Sequence, residues 1–191
     1  MISIPKIIFN FHKSNLPFAV LIRFFTRTKQ FNHISIELDN TSYEAKMSPF
    51  EGLTKKFYKY KGTDNFSEWK KNQKLVFKEE LVLTEDEYIK IKRYLHTNVT
   101  YKYKKILGID FKLPKIPYDY KSILGFVNNT NYQDSKSFNC SEFGYFILNN
   151  FIMKDKINMS TNLSPNNFLF ILQSFKIGKK YEKNIKWKYN F

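Results

Sequence analysis

Cysteine is nearly absent from this sequence, and its scarcity excludes several structures and sites. The one cysteine, Cys140, cannot form a disulfide within the chain, and no set of Cys and His residues has the spacing of a zinc site. We therefore expect no metal and no other cofactor. Because disulfides persist mainly in oxidising compartments, we expect the chain to fold in a reducing one, such as the cytoplasm.

Long apolar runs are missing as well. Residues 1–6 lack the apolar core and the small-residue cleavage site of a secretory signal. The apolar stretch 16–25 is too short to span a membrane and contains Arg23. We therefore expect neither a signal peptide nor a transmembrane segment, which leaves lysis or packaging in a virion as routes out of the cell.

Acidic residues are scarce relative to basic ones. The 191 residues include 32 Lys and Arg against 17 Asp and Glu, a formal net charge of +15. Such a charge favours non-specific contact with polyanions such as nucleic acid, anionic lipid or an acidic polymer. The lysines are scattered, however, and an abundance of Lys, Asn, Ile, Phe and Tyr is what A/T-rich codons give. The genome composition of a virus or phage therefore explains the charge nearly as well as a polyanion partner does.

Aromatic residues are abundant, and 20 Phe with 13 Tyr supply enough large side chains for the core of one domain. We predict a single domain over residues 1–191, with an insert around 55–71 and a basic tail after residue 176. The predicted elements, in chain order, are strand 4–11, helix 16–26, strand 31–38, a turn at Asp39 and Asn40, strand 42–47, a loop over 55–69, strand 74–81, helix 84–95, a helix or extended connection over 100–109, loops over 112–120 and 128–139, a helix from Cys140 to about 151, and a turn or helix from Ser164.

Cys140 lies where a polar loop gives way to an apolar helical pattern. A thiol at a helix start is exposed to the positive end of the helix dipole, which favours the reactive thiolate. A lone cysteine is more often a small buried hydrophobe. Here the polar neighbours Asn139 and Ser141 favour a nucleophile.

Two further residues supply the other groups that a thiol hydrolase needs. His33 lies in the alternating strand 31–38, and Glu44 follows the turn in the next predicted strand. A hairpin brings cross-strand neighbours to about 5 Å from one another. Whether these two side chains share a face depends on the strand register, which the sequence does not fix.

Other residues compete for these roles. His12 and His96 are alternative bases, although the dipole at the end of helix 84–95 already explains a cation at His96. Glu37 is an alternative carboxylate on the same strand as His33, but it would lie roughly 13 Å along that strand. A carboxylate across the hairpin is better placed.

The order and contexts of these pieces resemble the circularly permuted branch of the NlpC/P60 papain-like superfamily, the YiiX/YebB-like group that includes poxvirus members. The matching segments are 31–36 with its histidine, 43–45 with its glutamate, the Cys-Ser-Glu of 140–142, and the Ser-Pro of 164–165. In unpermuted papain-like enzymes the nucleophile precedes its base, whereas in the permuted group the histidine strand comes first, as here. The resemblance covers about residues 8–170 and does not account for the insert or the tail.

The resemblance implies a fold and a set of roles. The fold is α+β, with an antiparallel sheet or partial barrel packed against the helix that carries the cysteine. Cys140 is the implied nucleophile, His33 the general base and Glu44 the orienting carboxylate. Substrate lining is a second role for Tyr101 and Tyr103, which are expected mainly to pack, and for Glu142, which is otherwise expected to cap the helix.

The implied activity is that of a cysteine peptidase or amidase-type hydrolase. It would cleave an amide in a peptide or cell-wall peptide, or an acyl bond in a lipid, through a thioester intermediate. Two other interpretations stay open. A lipid acyltransferase or thioesterase would use the same triad, whereas a catalytically silent virion or nucleic-acid-associated protein would use the positive charge alone.

Overall fold

The computed structural model describes residues 4–14, 31–46, 52–57, 73–106, 109–121, 137–153 and 163–188. Within these ranges the chain is mixed α+β, with antiparallel sheets and three helices, which confirms the predicted fold class at that level. The predicted helix 16–26 and most of the predicted insert lie outside the described residues.

Five strands form the main sheet. Their order across it is β4-β3-β2-β1-β5, and every neighbouring pair is antiparallel. The strands are β1 (Lys6–Ser14), β2 (His33–Leu38), β3 (Thr41–Lys46), β4 (Gly52–Phe57) and β5 (Gln73–Val82). A second, two-stranded antiparallel sheet pairs β6 (Tyr101–Ile106) with β7 (Ile109–Pro114).

The three described helices are α1 (Glu85–Asn98), α2 (Cys140–Ile147) and α3 (Pro165–Lys188). The predicted capping box at the start of α1 is confirmed: the N–H of Glu87 donates to Thr84 Oγ1, and the N–H of Thr84 donates to Glu87 Oε2. Helix α2 begins at the predicted residue and continues into a π-helical turn, Leu148–Ile152. Helix α3 runs to Lys188, so most of the predicted basic tail is the last part of a helix.

Two predicted loops were partly wrong, because each contains an edge strand. Residues 55–57 belong to β4, and residues 112–114 belong to β7. The sequence of β4 does not alternate apolar and polar residues, whereas that of β7 does over residues 109–113, and the prolines at 114 and 117 favoured the loop prediction there. β4 pairs along β3, and the N–H of Leu53 donates to the carbonyl of Ile116 at 3.0 Å, beyond the end of β7. For residues 100–109 the sequence left a helix and an extended connection open, and the described residues of this segment are extended.

The turn between β2 and β3 sets the register of the hairpin. Asp39 and Asn40 have φ values of 50° and 57°, the left-handed geometry expected of this residue pair in a tight turn. The resulting register pairs Leu38 with Thr41 and Ser35 with Glu44. Because alternate residues of a strand share a face, this register puts Glu44 on the face of β2 that carries Ser35 and His33.

The opposite face of the sheet is apolar and packs against α3. Apolar side chains of β1 and β2 alternate toward it and are almost fully buried; they are Ile7, Phe9, Phe11, Ile34, Ile36 and Leu38. The ring of Phe168, on α3, lies 5.3 Å from that of Phe9 and 6.1 Å from that of Phe11. Helix α2 contacts β2, β3 and α3, so the helix that carries the cysteine packs directly on the His33 strand.

Candidate active site

The cysteine helix begins with a reciprocal capping box. The side-chain carbonyl of Asn139 accepts from the N–H groups of Ser141 and Glu142, each at 2.9 Å. In return, a carboxylate oxygen of Glu142 accepts from the N–H of Asn139 at 2.9 Å. Of the two roles predicted for Glu142, the structure shows the cap. The box fixes the first turn of α2 and therefore the position of Cys140, its first residue.

Three groups contact the thiol of Cys140: the imidazole of His33, the N–H of Ile34 and, at 3.9 Å, the hydroxyl of Ser141. Cys140 is buried, with 6% of its surface exposed. Burial alone raises the pKa of the Cys140 thiol. The hydrogen bond and the charge of His33, with smaller contributions from Ile34 and Ser141, outweigh it and leave the thiol pKa below its ordinary value of 9.0. The site therefore stabilises the thiolate.

His33 lies between the thiol and a carboxylate. Its Nε2 is 2.9 Å from Glu44 Oε2, and the imidazole also interacts with the thiol of Cys140. Burial lowers the pKa of His33, but hydrogen bonds to Cys140 and Glu44 and their negative charges raise it to about 10. The lowered thiol pKa and the raised imidazole pKa both favour an imidazolium–thiolate ion pair, which is the reactive state of a cysteine nucleophile.

Glu44 is a buried carboxylate at the far side of His33. Its side chain is 2% exposed, and Lys46 Nζ lies 3.6 Å from its second oxygen. The contact of this buried carboxylate with Nε2 holds the imidazole in one orientation. The rival carboxylate Glu37 accepts instead from the side-chain amide of Asn10 at 3.4 Å.

The two rival histidines lie in different places. His96 is exposed in the last turn of α1. His12, on β1, is directly opposite His33 in the sheet register and is 2% exposed. Its Nε2 lies 2.9 Å from the hydroxyl of Ser35, and its ring centroid lies 6.0 Å from that of His33. His12 is thus buried next to His33, and His33 is the histidine that interacts with Cys140.

Tyr118 is part of this site, and sequence reasoning missed it. It forms an isolated parallel bridge with Phe138, which carries residues 117–119 alongside the start of the cysteine helix. Burial raises the pKa of the Tyr118 hydroxyl, and the negative charges of Cys140 and Glu142 raise it further. Tyr118 therefore keeps its proton near neutral pH. Nothing in the sequence distinguishes it from the other residues of the predicted loop 112–120.

Tyr101 and Tyr103 lie on β6, in the exposed two-stranded sheet. They are 37% and 74% exposed, and the amine of Lys112 lies 4.3 Å from the centre of the Tyr101 ring. The expectation that both tyrosines pack is therefore wrong for Tyr103. Neither is among the groups that interact with the thiol of Cys140.

The chain matches no known family model, no curated protein and no solved structure. The likeness to the permuted NlpC/P60 group consequently depends on the residues and on the geometry described above. Within the described ranges, no three or more His, Cys, Asp or Glu side chains form a group that could hold a metal ion. No helix in the same part of the chain is long and apolar enough to cross a membrane.

The cap at Asn139 gives a first test of this arrangement. We expect Asn139→Ala to lower the free energy of unfolding by about 1 kcal/mol, since N-cap substitutions typically cost 0.5–2 kcal/mol. We also expect alkylation of Cys140 to slow several-fold, because the first turn that positions the thiol loses its anchor. Urea unfolding and intact-mass kinetics measure the two effects.

Thr84→Ala is the matched control, because it removes the capping box of α1 instead. It should cost a similar amount of stability and leave the alkylation rate unchanged. Equal alkylation rates in the two variants would show that the cap contributes nothing specific to the thiol.

Proposed function

We propose that this protein is a cysteine hydrolase of the permuted papain-like type, acting on an amide or acyl bond through a thioester. The observation that carries the proposal is the position of His33, whose ring contacts the Cys140 thiol on one side and the buried Glu44 carboxylate on the other. Such a thiol, base and orienting group, within hydrogen-bond reach of one another, are the recurring parts of thiol hydrolases.

The acylation step uses the ion pair. The Cys140 thiolate attacks the carbonyl carbon, and the resulting tetrahedral oxyanion needs hydrogen-bond donors. Asn139 accepts the N–H groups of Ser141 and Glu142, which leaves the N–H of Cys140 in the first turn to donate to the oxyanion. One such donor is typically worth about 3–4 kcal/mol of transition-state stabilisation. The second donor that we assign is the protonated hydroxyl of Tyr118, a buried group on which the charge of Cys140 acts.

Proton transfer by His33 completes the cycle. The imidazolium gives its proton to the leaving amine or alkoxide as the bond to the carbonyl breaks, and the acyl group stays on sulfur as a thioester. The neutral imidazole then takes a proton from water, which attacks the thioester and returns the thiol. An acceptor alcohol or amine in place of water would make the same site an acyltransferase.

A labelling experiment tests the proposal before any substrate is known. Because the chain has one cysteine, iodoacetamide should add one carbamidomethyl group, detected by intact mass. We expect the rate near neutral pH to exceed that of a small-molecule thiol at least tenfold, since an ordinary thiol is only a few per cent ionised there. The denatured chain is the internal control and should react at the ordinary rate.

Turnover is then measured on panels of activated acyl esters and peptide amides. Wild-type protein should release product, whereas Cys140→Ser, which conserves size and hydrogen bonding, should lose at least about 1,000-fold in kcat/KM. A wild-type thiol that reacts no faster than the denatured one would end the catalytic proposal, as would a Cys140→Ser variant with full turnover.

A further inference from the structure

The β6–β7 hairpin is an exposed and strongly basic feature that the catalytic proposal does not use. Lys115, whose N–H donates to the carbonyl of Thr100 at 2.8 Å, closes its base. The carbonyl of Ile116 then accepts from β4, which ties the base to the main sheet. From this anchor the two strands extend for six residues each, roughly 17–20 Å.

The charges of the hairpin are almost all positive. Four lysines lie on its strands, all of them exposed: Lys102, Lys104, Lys105 and Lys112. The one carboxylate on the described part of these strands, Asp110, lies opposite Lys105. Because Lys104 and Lys105 are consecutive, they point to opposite faces of the ribbon. Positive charge therefore surrounds the hairpin.

Apolar and aromatic side chains are arranged along the same ribbon. Ile109, in the cross-strand pair farthest from the base, is 62% exposed. Lys105, paired with Asp110, lies one pair closer to the base and Lys104 two pairs closer, while Tyr103, 74% exposed, pairs with Lys112 at the third. An apolar end followed by amines and an exposed tyrosine suits a bilayer surface, where an aliphatic side chain reaches the acyl boundary and amines and tyrosine lie at the level of the headgroups.

We propose that the β6–β7 hairpin is a docking site for an anionic lipid bilayer, with its Ile109 end directed at the membrane. The proposal does not depend on the catalytic one. Positive charge alone would suit nucleic acid equally well. The exposed isoleucine at the far end favours the membrane, because an aliphatic side chain gains from a hydrocarbon boundary and neither pairs with phosphate nor stacks on bases as an aromatic ring does.

Vesicle sedimentation at physiological ionic strength tests the proposal with the whole chain. Wild-type protein should sediment with phosphatidylcholine vesicles that contain one-third phosphatidylserine and should stay in the supernatant with phosphatidylcholine alone. Each lysine near an anionic surface is worth about a fivefold change in partitioning. The triple variant Lys104→Ala/Lys105→Ala/Lys112→Ala should therefore bind about 100-fold more weakly.

A matched triple variant separates the hairpin from the net charge. Lys6→Ala/Lys78→Ala/Lys90→Ala removes the same charge from exposed positions on β1, β5 and α1 and should retain most of the vesicle binding. Ile109→Ser should weaken binding to the anionic vesicles at least threefold without changing its salt dependence.

Two results would overturn the proposal. One is equal loss of vesicle binding in the two triple variants, which would assign the effect to net charge. The other is wild-type protein that ignores anionic vesicles but binds single-stranded nucleic acid through these lysines. Neither result would bear on Cys140, whose alkylation rate in the hairpin variants should equal that of wild type.

Discussion

His33→Ala should slow the alkylation of Cys140 by iodoacetamide about 100-fold at about pH 6. In the wild-type protein the imidazolium keeps the pKa of Cys140 below the ordinary value of 9.0. Without it, burial, which raises the thiol pKa, is opposed only by the smaller contributions of Ile34 and Ser141, and a thiol with a pKa of 9.0 or above is at most about one part in 1,000 thiolate at that pH. The loss in rate is smaller than the loss in thiolate, because a more basic thiolate is intrinsically more nucleophilic.

The pH dependence of the alkylation rate follows from the directions of the two pKa shifts. The pKa of Cys140 is lowered and that of His33 is raised, so the ionised pair persists between the two values. Because the thiol pKa is lowered, we expect the wild-type alkylation rate to change less between about pH 6 and pH 8 than that of an ordinary thiol, which gives a more level profile. In His33→Ala the rate should rise about tenfold per pH unit over that interval, since the thiolate fraction does.

His96→Ala is the control for this experiment, because it removes an exposed histidine of α1. It should leave both the rate and its pH dependence at their wild-type values. If His33→Ala kept the level profile, the imidazole would have no part in activating the thiol, and the proposed ion pair would be wrong.

The elements that carry the site were predictable because their signals are local. The alternation of 31–38 predicts the strand that bears His33, and Asp39 with Asn40 predicts the turn that follows. The change from polar loop to apolar periodicity predicts a helix start at Cys140. Local signals do not determine the register that puts Glu44 on the same face as His33. A period of two residues is compatible with either face of the strand.

The missed features depend on contacts between distant parts of the chain. β4 is an edge strand whose sequence does not alternate, so pairing with β3 decides its conformation, and β7 is a strand that ends at a proline and pairs with β6. Tyr118 lies beside the start of the cysteine helix because of its bridge to Phe138. His12 is beside His33 because β1 and β2 pair in that register, although 20 residues separate the two histidines. Tertiary pairing determines each of these placements.

The ring of Phe168 connects the three layers that support the site. It packs edge-on against Phe9 of β1 and stacks with Phe11. A Cβ added at Gly144, one helical turn after Cys140, would lie 3.1 Å from the Phe168 ring, so the ring packs directly on the backbone of α2. This one side chain therefore holds α3, the sheet and the cysteine helix together.

We expect Phe168→Ala to lower the free energy of unfolding by about 3–5 kcal/mol, the usual cost of deleting a buried phenylalanine and leaving a cavity. That is a large share of the 5–15 kcal/mol typical of a folded domain. For a chain of this length the melting temperature should fall by about 6–20 °C.

Phe170→Ala, on the same helix at a position that is 72% exposed, should stay within about 0.5 kcal/mol of wild type. Urea unfolding followed by fluorescence compares the two variants. Equal stabilities would mean that α3 does not hold the cysteine helix on the sheet. The cap at Asn139 would then be the one structural support of the first turn at Cys140.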